Sequence, residues 1–111
     1  MKISFRDRGD VTILDLKGKI LIGDDLKDLR REIDRLVERN RRKVLLNFAQ
    51  VPMIDSSGLG EVVRTYTTIT REGGQIKIVN LTHKVKDLMV VTKLVTVFEI
   101  YDDEEEAIKS F

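Results

Sequence analysis

The stretch Val44-Leu45-Leu46-Asn47-Phe48-Ala49-Gln50-Val51-Pro52-Met53-Ile54-Asp55-Ser56-Ser57-Gly58-Leu59-Gly60 decides the fold. Its first five residues are a short, mostly apolar run, the pattern of a central strand covered on both faces. Pro52 interrupts the next segment, so residues 49–54 read as a loop. From about Ser56 the spacing turns helical, with Leu59, Val62, Val63, Tyr66 and Ile69 on one stripe. Gly73-Gly74 ends that helix, because glycine tolerates the left-handed conformation of a helix C-terminus.

Upstream lies a second helical pattern. Leu26, Leu29, Ile33, Leu36 and Val37 share one stripe, and the other faces are charged. Asp24, Asp25 and Asp28 crowd its start while Arg39, Arg41, Arg42 and Lys43 crowd its end, an order that suits the helix dipole. Glu38 and Arg42 are spaced as an i,i+4 pair. Before this helix, Met1, Ile3 and Phe5 alternate with Lys2, Ser4 and Arg6, as in a half-buried strand. Arg8-Gly9-Asp10 reads as a turn, and Val11 to Leu16 resume the strand to complete a hairpin. Gly18 and Gly23 bracket Ile20-Leu21-Ile22, either a packed crossover or an exposed apolar lip.

Downstream, Ile76 to Val79 read as a strand. Thr82 is placed to cap a third helix that turns Val85, Leu88 and Met89 inward. Thr96 to Ile100 read as a last strand, and Asp102 to Phe111 as a terminal helix with an acidic first turn. The order β-β-α-β-α-β-α-β-α predicts one α/β domain over residues 1–111. Its sheet is mixed, with an N-terminal hairpin, later strands parallel, and about four helices.

Composition narrows the function. The chain has 111 residues, 20 basic against 19 acidic, and a formal net charge of +1. That balance argues against a dedicated binder of nucleic acid or of membrane surfaces. Arg39-Asn40-Arg41-Arg42-Lys43 is the one basic cluster, and it lacks the stacking aromatics of a nucleic-acid surface. There is no cysteine, which removes disulfides, Cys-ligated metals and thiol nucleophiles. The single histidine, His83, has no partner in sequence for catalysis and reads as solvated. Asp102-Asp103-Glu104-Glu105-Glu106 lacks the spacing of a calcium loop and reads as an acidic helix start. The longest unbroken apolar run, Leu88 to Val91, is far short of the ~20 residues of a membrane span. No signal-peptide core opens the chain, so a cytoplasmic protein without metal or cofactor is expected.

The chemistry-bearing segment is Asp55-Ser56-Ser57-Gly58-Leu59-Gly60, two hydroxyls and a carboxylate where a helix begins. Backbone N–H groups there lack intrahelical partners and attract anions. A phosphate on Ser56 is therefore compatible with the fold, while adding about two negative charges beside Asp55. Gly58 and Gly60 each cost the helix ~1 kcal/mol relative to alanine, which calls for close approach of another backbone or of a partner. The plainer reading is that Asp55 or Ser56 is an ordinary N-cap and the glycines serve packing.

The hexapeptide, the strand and loop before it, the helix pattern with its Gly73-Gly74 end, and the segment from Ile76 to Phe98 together resemble the STAS family. These are the sulfate-transporter and anti-sigma-factor-antagonist domains, and the resemblance covers essentially the whole chain. It implies that this chain is an anti-sigma-factor antagonist, a binding protein and not an enzyme. Its partner would be a protein that is both anti-sigma factor and ATP-dependent serine kinase. Unphosphorylated antagonist sequesters that kinase and frees a sigma factor; phosphorylation weakens binding, and a metal-dependent serine phosphatase resets the switch. By position in the motif the phosphoacceptor is Ser56. Asp55, Ser57, Gly58, Leu59 and Gly60 then belong to the partner-binding segment, with Ile20, Leu21 and Ile22 as an adjoining apolar contact. Many antagonists of this kind carry an aspartate two or three residues after the glycine that ends the second strand, where this chain has Ile20 and Leu21.

The resemblance also admits a second role. STAS domains serve as non-switching scaffold subunits in stress-sensing and phospholipid-transport complexes. A response-regulator receiver fits poorly, given the opening hairpin and the serine motif. A hydrolase fits no better, for Ser56 has neither a histidine base nor a Gly-x-Ser-x-Gly elbow.

Overall fold

The computed structural model describes all residues, Met1–Phe111. Five strands form one sheet in the order β1-β2-β3-β4-β5. They are β1 (Lys2–Arg8), β2 (Val11–Lys17), β3 (Lys43–Gln50), β4 (Gln75–Val79) and β5 (Glu99–Tyr101). β1 runs antiparallel to β2, and every later pairing is parallel. The helices are α1 (Asp24–Glu38), α2 (Ser56–Arg71), α3 (His83–Val91) and α4 (Glu104–Lys109). A mixed α/β sheet opened by a hairpin is the architecture the periodicity implied. None of the helices is long and apolar enough to cross a membrane.

Strand alternation divides the interior in two. Leu14, Leu16, Val44, Leu46, Phe48, Ile76 and Ile78 point to the face where α1, α2 and α3 deliver Leu29, Ile33, Leu36, Leu59, Val62, Ile69, Val85 and Met89. Val11, Ile13, Leu45 and Val79 point to the other face, where α4 contributes Ala107. The short α4 leaves part of that second face polar. Arg6 there joins Asp15 and Glu104, and Asn47 donates to Asp15 at 2.7 Å.

Four local expectations need correction. α1 stops at Glu38, and Asn40 takes a left-handed turn at φ 59°. The i,i+4 relation of Glu38 and Arg42 is thereby lost, and Arg42 donates to Asn40 instead. Arg41 and Lys43 do not serve the helix dipole but reach the hairpin turn, pairing with Asp7 at 3.0 Å and Asp10 at 2.7 Å. Thr82 stands at the N-cap of α3, yet its hydroxyl donates to the carbonyl of Val51 and not to the helix. The last strand begins later than its β-branched residues suggest: Leu94–Thr96 form a 3-10 turn, and β5 is only Glu99–Tyr101. Phe98 is buried there against the edge of Tyr66, with centroids 5.2 Å apart.

Candidate functional site

The parallel pairing of β2 with β3 continues past the strands and builds the site. Gly18 N–H donates to the carbonyl of Gln50 at 2.9 Å, and Ile20 N–H to that of Met53 at 3.1 Å. Asp55 N–H then donates back to the carbonyl of Ile20 at 3.3 Å. Ile20 and Ile54 form an isolated parallel bridge, and both side chains are buried. The segment from Gly18 to Ile20 is thus zipped along the loop that leads into α2.

Asp55, not Ser56, caps α2. Its Oδ1 accepts from Gly58 N–H at 2.7 Å and its Oδ2 from Ile22 N–H at 2.9 Å. These two donors, Gly58 first, hold the carboxyl below its ordinary range. Ser56 is the first helical residue and is exposed, Ser57 is half-buried, and Leu59 is buried in the core. Nothing in the fold consumes the Ser56 hydroxyl as a cap.

The two glycines prove unlike. A Cβ on Gly58 would lie 2.2 Å from the Ile20 carbonyl oxygen and 2.8 Å from Ile54 Cγ1, so Gly58 is the close approach of α2 to the zipped loop. A Cβ on Gly60 would meet nothing within 4 Å, and Gly60 is exposed. The Ile20-Leu21-Ile22 segment is likewise divided. Ile20 is fully buried and so is an anchor of the loop, not a surface for a partner. Leu21 is half-buried, and Ile22 is 75% exposed. Met53, in a loop to which the sequence pattern assigns no role, is 39% exposed. Ile22 follows the zipped segment and is tied to Asp55, and Met53 belongs to the loop that leads to Ser56.

Glu61 also escapes sequence reasoning. It lies outside the apolar stripe, yet its side chain is only 2% exposed, and it accepts from Arg30 of α1 at 2.7 Å. Arg64 approaches its second oxygen at 3.5 Å. Pattern reading assigns a glutamate to the solvent face; the packing of α1 on α2 encloses this one.

Comparison with known proteins agrees with this fold. An anti-sigma F factor antagonist from Paenibacillus polymyxa is 27% identical over 81 residues, covering 72% of this chain and 69% of that protein. The crystal structure of a proposed anti-sigma factor antagonist from Thermotoga maritima superposes with a TM-score of 0.90 at 26% identity, covering 97% of this chain and 92% of that one. The Bacillus cell fate determinant SpoIIAA in its phosphorylated form shares the fold, with a TM-score of 0.75 at 18% identity and 98% coverage of both chains. Residues 2–107 match the STAS domain itself. With the sheet order, the zipped loop and the capped serine segment in place, the chain belongs to the STAS domain family.

Proposed function

We propose that this protein is a cytoplasmic anti-sigma-factor antagonist, a binding module switched by phosphorylation of Ser56. The observation that carries the reading is the exposed Ser56 hydroxyl at the first position of α2, free of the capping duty that Asp55 performs. The name of the Paenibacillus relative supports an anti-sigma factor as the partner class. In the unphosphorylated state the protein holds a serine-kinase anti-sigma factor and so frees a sigma factor. Ser56, Ser57 and Gly60 supply the polar part of the contact, and Ile22, Leu21 and Met53 the apolar part. The kinase brings ATP and magnesium. Ser56 Oγ takes the γ-phosphoryl group, its proton leaves, and ADP departs; a serine phosphatase later hydrolyses the ester to inorganic phosphate. The added charge acts on the contact surface, since a helix start accommodates an anion without loss of fold.

The test uses the serine-kinase anti-sigma factor of the host, purified, with wild type, Ser56→Ala and Ser56→Asp, all first shown to be equally folded. Wild type and Ser56→Ala are expected to bind and Ser56→Asp to bind at least tenfold more weakly. With ATP and magnesium, wild type acquires phosphate and Ser56→Ala does not. Equal binding by all three, with no phosphate transferred, refutes the switch and leaves the non-switching scaffold reading.

A further inference from the structure

Beyond Ile20 the backbone pairing of the zipped loop ends, and the Ile22 N–H to Asp55 Oδ2 bond at 2.9 Å is its last tie to α2. The same carboxylate uses its other oxygen to cap Gly58 N–H at 2.7 Å. One side chain therefore fixes two things at once: the start of the helix that carries Ser56, and the backbone position of the most exposed apolar residue beside it. Ile22 has no burial of its own to hold it, at 75% exposure. Gly23, next in the chain, has φ 121° and adds no side-chain anchor.

Resting on the reading of Ser56 as phosphoacceptor, we infer that Asp55 is a positioning residue that couples Ser56 to the Leu21–Ile22 lip, and that a phosphoryl group on Ser56 loosens the lip through it. The phosphate carries about two negative charges on the residue next to the Asp55 carboxylate, and it seeks the same N–H groups at the helix start. Repulsion and competition both draw Asp55 off its donors. The cap bond to Gly58 is held within one turn of helix. The bond to Ile22 spans to a lip whose residues, Leu21 and Ile22, make no other hydrogen bond, so it is the one that yields. Phosphorylation on this account alters the apolar part of the contact surface as well as its charge.

The test needs no partner, and so can fail separately from the switch reading. Amide hydrogen exchange at Ile22 is measured in wild type, in protein carrying encoded phosphoserine at position 56, and in Asp55→Asn. Asparagine keeps one carbonyl oxygen, enough for the Gly58 cap but not for both donors. Unchanged thermal unfolding and a still-protected Gly58 amide in Asp55→Asn serve as the folding control. If that control fails, Asp55→Ser, which also caps but cannot reach both donors, replaces it. Exchange at Ile22 is expected to rise roughly tenfold in both the phosphoserine protein and the Asp55 variant. An Ile22 amide that exchanges at the wild-type rate in the Asp55 variant overturns the tie. One that speeds up in the variant but not in the phosphoserine protein overturns the coupling.

Discussion

Replacing Gly58 by alanine sets two effects of known sign against each other. The helix gains ~1 kcal/mol, because alanine is the better helix former. Against this, the new Cβ lies 2.2 Å from the Ile20 carbonyl oxygen, 2.8 Å from Ile54 Cγ1 and 3.0 Å from Ile20 Cγ2. The first of these is backbone and cannot rotate away, so either α2 lifts from the zipped loop or the Asp55–Ile20 pairing opens. Overpacking of this kind costs about 1–3 kcal/mol, and a backbone clash belongs at the upper end. The net expectation is a loss of ~2 kcal/mol. For a chain of 111 residues that corresponds to a fall in Tm of about 8 °C. Gly60→Ala is the control, since its Cβ meets nothing within 4 Å; it is expected to gain ~0.5–1 kcal/mol. Urea unfolding followed by circular dichroism measures both. A Gly58→Ala protein as stable as wild type, or a Gly60→Ala protein that is less stable, refutes the reasoning. On the proposed reading, in which Gly60 faces the partner, Gly60→Ala also separates the two properties: a more stable protein that binds the proposed anti-sigma partner less tightly.

Ser56→Ala is expected to change stability by less than ~0.5 kcal/mol, because Asp55 is the cap; Asp55→Ala is expected to cost ~1 kcal/mol, and denaturant midpoints distinguish them. Lys77→Met is expected to cost ~2 kcal/mol and to speed amide exchange in α4, since the buried ammonium donates to the Ser110 carbonyl at 2.7 Å and to Ser110 Oγ at 2.8 Å. The carboxyls of Asp15 beside Arg6, Asp10 beside Lys43 and Glu105 beside Arg8 lie below their ordinary values. A depressed carboxyl stabilises the fold above its unfolded pKa of ~4, and that contribution is lost as pH falls through the lowered folded value. The urea midpoint is therefore expected to fall below pH ~4, and less steeply in Arg6→Gln, which frees Asp15; equal slopes would remove the Arg6–Asp15 pair as the cause.

Sequence order conveyed the sheet because its signals are local. A hairpin, an apolar central strand and two amphipathic helices each announce themselves within a dozen residues. What stayed hidden depends on contacts distant in sequence. Arg41 and Lys43 look like helix-end charges until the hairpin turn folds beside them and offers Asp7 and Asp10. Glu61 breaks no helical pattern, and only the packing of α1 on α2 shows that it is enclosed with Arg30. Thr96 to Ile100 have strand composition, but the 3-10 turn at Leu94–Thr96 carries on through Val97, and Phe98 N–H donates to the Leu94 carbonyl at 3.1 Å, so the pairing with β4 is confined to Glu99–Tyr101.

The serine segment was legible for a different reason. Two glycines in the first turns of a helix contradict local propensity, and such a contradiction marks either close packing or function. The structure divides those explanations between the two residues. Gly58 is accounted for within the chain by the Ile20 carbonyl, and alanine there conflicts with the fold itself. Gly60 finds no such account, being exposed with open space at its Cβ position. The helix therefore gives up ~1 kcal/mol at Gly60 with no return from packing. Ser56 lies one turn before it, exposed, and relieved of capping by Asp55. On the proposed reading, a partner's backbone supplies the contact that Gly60 lacks within the chain, beside a hydroxyl that has no internal duty.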